Sequence, residues 1–156
     1  MGLGIVKQNK VFLDGRGFIF EMFKESNEIM KDFQVKQVTV STIFPGSVKA
    51  FHKHEKQTDI ITCVKGNIRL VLWKPKEGKP VEKAVKENAI EKEVYFIGEQ
   101  NPLSVKIPAG IYHGFSSIGG KKATIVYATN QEYNADDELR LPWDVLGKKV
   151  WEVENK

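Results

Sequence analysis

Only three histidines occur among 156 residues, and two of them, His52 and His54, are separated by a single lysine. Imidazole titrates near neutrality, so such a pair suits either proton transfer or metal ligation. On an extended strand residues i and i+2 point to one face, which aims both rings into the same space. Asp59 follows where the chain re-enters an apolar run, and His113 lies in PAGIYHGF, beyond a strand and a Pro-Ala-Gly turn. Two or three imidazoles with a carboxylate suit Fe, Mn, Ni, Co or Zn, which makes His52, His54, Asp59 and His113 a candidate metal set. Without a metal the same groups read as polar or catalytic imidazoles, or as histidines of an ordinary core.

The elements that must position these residues are short and β-rich. Residues 35–44 alternate partly (VKQVTVSTIF) and end at Pro45-Gly46, and residues 47–52 read as another extended piece. The runs 60–64 and 68–73 flank Lys65-Gly66-Asn67 and read as a hairpin. Residues 74–93 are charged and carry Pro75, Gly78 and Pro80, as expected of a surface excursion; a short helix near 82–92 fits them less well. Runs 94–98, 102–107 and 123–128 complete the strands, while only 26–33 and 135–141 invite helical turns. Many short strands with Gly/Pro turns predict an all-β fold, a sandwich or barrel, with residues 1–156 as one domain.

Composition narrows the function classes. There are 24 Lys plus Arg against 20 Asp plus Glu, a net charge of +4, but the two signs interleave, as in KPKEGKPVEKAVKENAIEKE. That pattern is a solvated face, not a polybasic nucleic-acid patch. No run of 18 apolar residues occurs, so no membrane span is expected, and MGLGIVKQNK lacks a signal-peptide core. A single cysteine, Cys63 in IITCV, excludes an intrachain disulfide and reads as a buried thiol. The expectation is a cytoplasmic protein.

The spacing of Gly46, His52, His54, Asp59 and Gly66, then Pro108, Gly110 and His113, resembles the two motifs of the cupin superfamily. A longer set is similar to the RmlC-like branch, represented by dTDP-4-dehydrorhamnose 3,5-epimerases. It comprises DGRGFIFE at 14–21, Gln37, Ser41, GSVKAFH at 46–52, Gln57, Gly66, IPAGIYHGF at 107–115, YATNQEY at 127–133, and LPWD at 141–144 with Trp151 beyond. The resemblance implies the cupin double-stranded β-helix, a jelly-roll barrel with an N-terminal strand or arm, and a homodimer. It also implies a nucleotide-diphosphate sugar as substrate and no required cofactor, with a divalent metal as the alternative.

The resemblance further implies roles. Arg16, Phe18 and Glu21 would contact nucleotide or sugar, within one chain or across a dimer interface, and Arg16 could fork onto diphosphate oxygens. Gln37 and Gln57 would bind substrate, Lys49 stands at the family's phosphate-binding arginine, and Tyr133 would stack near the base. His52 matches the family's base, Tyr127 its acid, and His113 would orient substrate or assist near the reacting carbonyl. Departures accompany these matches. The family lysine that steadies enolate charge falls at Asp59, which suits an imidazole-orienting partner or ligand better. His54 replaces a glutamine, and the family's late aspartate is missing from a shortened C-terminus. The expected activity is therefore a 4-keto-6-deoxyhexose epimerase or isomerase, with a metal-dependent cupin enzyme or a noncatalytic carbohydrate-binding protein as alternatives.

Overall fold

The computed structural model describes residues 2–76 and 78–152; of the expected domain, residues 1, 77 and 153–156 lie outside the described residues. Its strands are β1 (Ile5–Gln8), β2 (Val11–Asp14), β3 (Gly17–Phe20), β4 (Gln37–Ile43), β5 (Val48–His54) and β6 (Asp59–Lys65). They continue as β7 (Asn67–Pro75), β8 (Ile90–Gly98), β9 (Leu103–Ile107), β10 (Tyr112–Ser117), β11 (Ala123–Thr129) and β12 (Glu138–Arg140), with the α-helix α1 (Val81–Lys86). The expected helical turns at 26–33 and 135–141 are single 3-10 turns, Glu28–Met30 and Ala135–Asp137.

Among the described residues two five-stranded sheets form, in the orders β1-β9-β6-β11-β4 and β12-β5-β10-β7-β8, while β2 and β3 pair only with each other. Every paired strand is antiparallel. The expected jelly-roll barrel is thus corrected: the fold is all-β, but among the described residues no sheet closes, and each five-stranded sheet keeps two edge strands. Closure would need a continuous hydrogen-bond ladder around the molecule. Here side chains, not ladders, join the sheets. Ile61, Cys63, Val105, Ile107 and Ile125 of the first meet Ile68, Leu70, Leu72, Ile97 and Phe115 of the second.

The expected hairpin across Gly66 is also corrected. β6 pairs with β9 and β11, and β7 pairs with β8 and β10, so the chain changes sheets at this single residue. Gly66 has φ +71, and an added Cβ would lie 2.5 Å from the Lys122 carbonyl oxygen. A corner this tight against a neighbouring backbone admits only glycine. The true hairpin partner of β7 is β8, in register from Asn67↔Gly98 to Pro75↔Ile90. Within the charged excursion between them α1 forms, because Ala84 is wholly buried and Val81 and Val85 pack against the Trp73 cluster.

That cluster explains why IRLVLW is apolar throughout. Leu70 and Leu72 face the space between the sheets, while Val71 and Trp73 face outward beneath α1 and the C-terminal segment. Arg69 anchors that segment by donating from Nη1 to the carbonyls of Val150 and Glu152, at 2.9 and 2.8 Å. Cys63 is buried as expected, and burial pushes its thiol up to about 11, so it stays protonated. No helix among the described residues is long and apolar enough to cross a membrane.

The corner sets a testable cost. Gly66→Ala combines a left-handed backbone with a backbone collision, together about 2–4 kcal/mol. Urea denaturation should show a loss of that size with an unchanged m-value; a loss under about 1 kcal/mol would contradict the stated role of the corner.

Candidate active site

The strand pairing of β5 with β10 sets His113 directly opposite His52, and β12 on the other side of β5 sets Arg140 opposite His52 and Glu138 opposite His54. The β5–β10 register shifts between His113 and Phe115. Gly114 lies at this irregularity, where an added Cβ would collide with Ala50. The glycine of HGF thus lets the two histidine strands come together. Ring centroids of His52 and His113 are 4.1 Å apart, and those of His52 and His54 are 5.6 Å apart.

A cavity of about 560 Å³ opens between the sheets beside these rings, within the range usual for small-molecule sites. Its walls include His52, His54 and His113 from one sheet and Asp59 and Tyr127 from the other. Gln37, Lys49, Gln57 and Tyr133 also reach it. Arg16, Phe18 and Glu21 do not line it: they stand on and just after the β2–β3 hairpin. Arg16 is exposed and paired with Asp14 at 2.5 Å.

Hydrogen bonds fix most of the polar groups. His113 places Nδ1 3.1 Å from the Ile111 carbonyl and Nε2 3.4 Å from Asp59 Oδ2. Gln57 donates from Nε2 to Asp59 Oδ1 at 2.8 Å, so Gln57 serves the carboxylate. Gln37 donates to Thr39 Oγ1 and accepts from the Tyr133 amide at 2.9 Å, which ties the loop carrying Tyr133 to β4. Lys49 donates from Nζ to Ser41 Oγ and the Thr42 carbonyl, at 2.7 and 3.1 Å. Asp137 accepts from the amides of Lys56 and Gln57, and its Oδ2 lies 3.8 Å from His54 Nδ1, which has no hydrogen-bond partner among the described residues.

The electrostatics follow from crowding. Burial, then the adjacent His113 and His54 rings, push His52 down to about 2, while Asp59 opposes that shift. For Asp59 burial acts upward, but the His113 hydrogen bond and charge, Gln57 and His54 outweigh it, and the carboxyl is held below its ordinary value. Tyr127 is raised by burial and by the Asp59 charge, so its phenol keeps its proton. The cavity therefore presents a neutral imidazole on one wall and a protonated phenol on the other.

Ligand atoms of His52, His54 and His113 lie within 4.8 Å of one another. The donor set fits a divalent metal: three imidazoles, one held neutral and one with an orphaned nitrogen. Asp59 falls outside this group and pairs with His113 instead. Sequence reasoning missed Glu138, Arg140 and Asp137. The signal was the charged–apolar–charged alternation Glu138-Leu139-Arg140, in a strand of only three residues.

Two open antiparallel sheets around a histidine-lined cleft define an RmlC-like cupin. The chain belongs to the dTDP-4-dehydrorhamnose 3,5-epimerase family, whose model matches residues 2–149. It is 36% identical over 141 residues to the spore coat polysaccharide biosynthesis protein SpsL of Bacillus subtilis, covering 89% of this chain and 87% of that protein. It is 32% identical over 143 residues to the probable low-salt glycan biosynthesis epimerase Agl13 of Haloferax volcanii, covering 89% and 86%. The crystal structure of a dTDP sugar isomerase from Desulfovibrio desulfuricans G20 shares the fold with a TM-score of 0.81 at 18% identity, covering 97% of this chain and 92% of that one.

The half-buried His52 imidazole makes stability depend on pH. The unfolded chain's His52 takes a proton near 6.5, whereas the folded one waits until about 2. Between those values the unfolded state binds more protons, so stability is full above 6.5 and falls as pH drops through the interval. Urea midpoints measured from pH 7.5 to 4.5 should fall, and His52→Gln should fall markedly less. An equal slope in both proteins would contradict this placement of the ring.

Proposed function

We propose that the chain is a nucleotide-sugar epimerase or isomerase of the 4-keto-6-deoxyhexose type, working by proton abstraction beside the ketone. The observation that carries this reading is the opposition of His52 and Tyr127 across one cavity, on strands of different sheets. Inversion at a carbon requires removal of its proton on one face and delivery on the other, and a neutral imidazole and a protonated phenol on opposite walls supply those groups. His52 takes the proton from the carbon next to the ketone, and the C–H electron pair moves into the carbonyl to give an enolate. The enolate carbon then takes the Tyr127 hydroxyl proton on the other face, the carbonyl reforms, and solvent restores both side chains. Asp59 favours the imidazolium of His52 and orients His113. Diphosphate and enolate charge act in the same direction, because nearby negative charge raises an imidazole pKa.

In this reading Lys49, Gln57 and Tyr133 line the substrate cleft, with Gln37 fixing the Tyr133 loop. The β2–β3 hairpin brings Arg16, Phe18 and Glu21 to the cavity of a second copy in a homodimer. Supporting this, the hairpin exposes Leu13, Phe18 and Ile19, and β4 exposes Val38 and Val40, all apolar and more than half accessible. Exposed apolar side chains in this number favour burial against another chain. Sedimentation should give a dimer for the natural protein and a monomer for Ile19→Glu; a natural monomer would overturn the shared site.

A second reading gives His52, His54 and His113 a divalent metal, favoured by their mutual 4.8 Å spacing. Bound there, the metal would polarise a sugar oxygen, and His52 would no longer be free as a base.

Solvent-deuterium incorporation into nucleoside-diphosphate 4-keto-6-deoxy sugars tests the first reading. The natural protein should exchange the proton beside the ketone. His52→Ala should lose exchange by about 10³-fold, and Tyr127→Phe should slow inversion by about 10²-fold. Exchange should survive a chelator. Absence of exchange in a folded, nucleotide-binding protein overturns the epimerase, and loss on chelation with recovery on metal addition favours the second reading.

A further inference from the structure

We propose that Arg140 is the cation that stabilises the enolate oxygen, an inference that rests on the epimerase reading above. Removing a proton beside a ketone places a full negative charge on the carbonyl oxygen, which needs a cation or donors at short range in a site shielded from water. The groups around His52 do not meet that need. Asp59 and Glu138 are acidic, and both line the cavity. His113 has its Nε2 turned to Asp59 and its Nδ1 to the Ile111 carbonyl.

Two cations line the cavity among the described residues, Lys49 and Arg140. Lys49 has two of its three Nζ donors held, by Ser41 Oγ and the Thr42 carbonyl at 2.7 and 3.1 Å, whereas Arg140 commits only its Nε. It is the strand partner of His52, so the two side chains leave β12 and β5 beside each other on one face. Its Nε lies 2.8 Å from Glu138 Oε1, while its Nη nitrogens form no hydrogen bond or ion pair among the described residues.

The Glu138 contact does positioning work. Glu138 is two residues away on the same strand and its side chain is only 10% exposed, whereas that of Arg140 is 75% exposed. A nearly buried carboxylate therefore holds the base of the guanidinium fork and leaves its two outer nitrogens free at the rim next to the base. A sugar entering the cavity would cover that rim, strip water from the guanidinium, and meet two parallel donors. The positive charge sits on the His52 side, where the carbonyl lies when the ring takes the adjacent proton.

The test uses three proteins and two readouts. Arg140→Ala should lower kcat for deuterium exchange by about 10²–10³-fold, the usual cost of one oxyanion donor. Arg140→Lys should recover part of that loss, and guanidinium ion added to the alanine variant should restore exchange in a saturable way. Affinity for the bare nucleoside diphosphate, which carries no ketone, should stay within about twofold in all three, because the proposed contact is to the sugar carbonyl. Exchange by the natural protein that Arg140→Ala leaves unchanged overturns the assignment alone. A loss matched by an equal loss of nucleoside-diphosphate affinity, without guanidinium rescue, makes Arg140 a phosphate contact and also overturns it. No exchange by the natural protein removes the epimerase reading, and this assignment with it.

Discussion

Three imidazoles, two buried and one half-buried, bring ligand nitrogens within 4.8 Å of one another, an arrangement that holds only if their charge is limited. His52 meets that condition by remaining neutral, and the Asp59 carboxylate on the facing sheet lies 3.4 Å from His113 Nε2. Much of the surrounding structure can be traced to holding this arrangement. Gln57 holds Asp59, and Asp137 holds the backbone of the turn that carries Gln57. Gly114 permits the close approach of the two histidine strands.

An open sandwich serves this arrangement better than a sealed interior would. Packing between the sheets is completed by Leu70, Leu72, Val105 and Ile125 on one side. On the other side the polar rings face a cavity of about 560 Å³ rather than more apolar side chains. Sheet changes on either side of β5 and β6 put the base and its supporting carboxylate on different walls. A hairpin across Gly66 would have placed β7 in the sheet of Asp59, away from the strand that carries His113.

Local pattern made much of this legible. Apolar and partly alternating runs located the strands from β4 to β11 except β10, and the His-Lys-His spacing predicted a shared face, which β5 provides. The motif resemblance anticipated the family, and nine of the expected site or metal-set residues, among them Lys49, Gln57 and Tyr133, line one cavity. Pairing was less legible. Apolar runs on both sides of a turn look alike whether they pair or separate, so Gly66 read as a hairpin although its φ and the Lys122 carbonyl make it a corner. Barrel closure depends on strand edges and leaves no local signature. β12, only three residues long, lay inside the 135–141 stretch read as helical turns, and with it went Glu138 and Arg140, whose importance comes from lying opposite His54 and His52.

The central claim is that a sugar ring lies between His52 and Tyr127. A crystal structure with a nucleoside-diphosphate 4-keto-6-deoxy sugar bound tests it most directly. The account predicts the carbon beside the ketone about 3–3.5 Å from a His52 ring nitrogen, with the Tyr127 hydroxyl on the opposite face of the sugar. A sugar with both side chains on one face, or a metal ion held by His52, His54 and His113 in place of that contact, would contradict it.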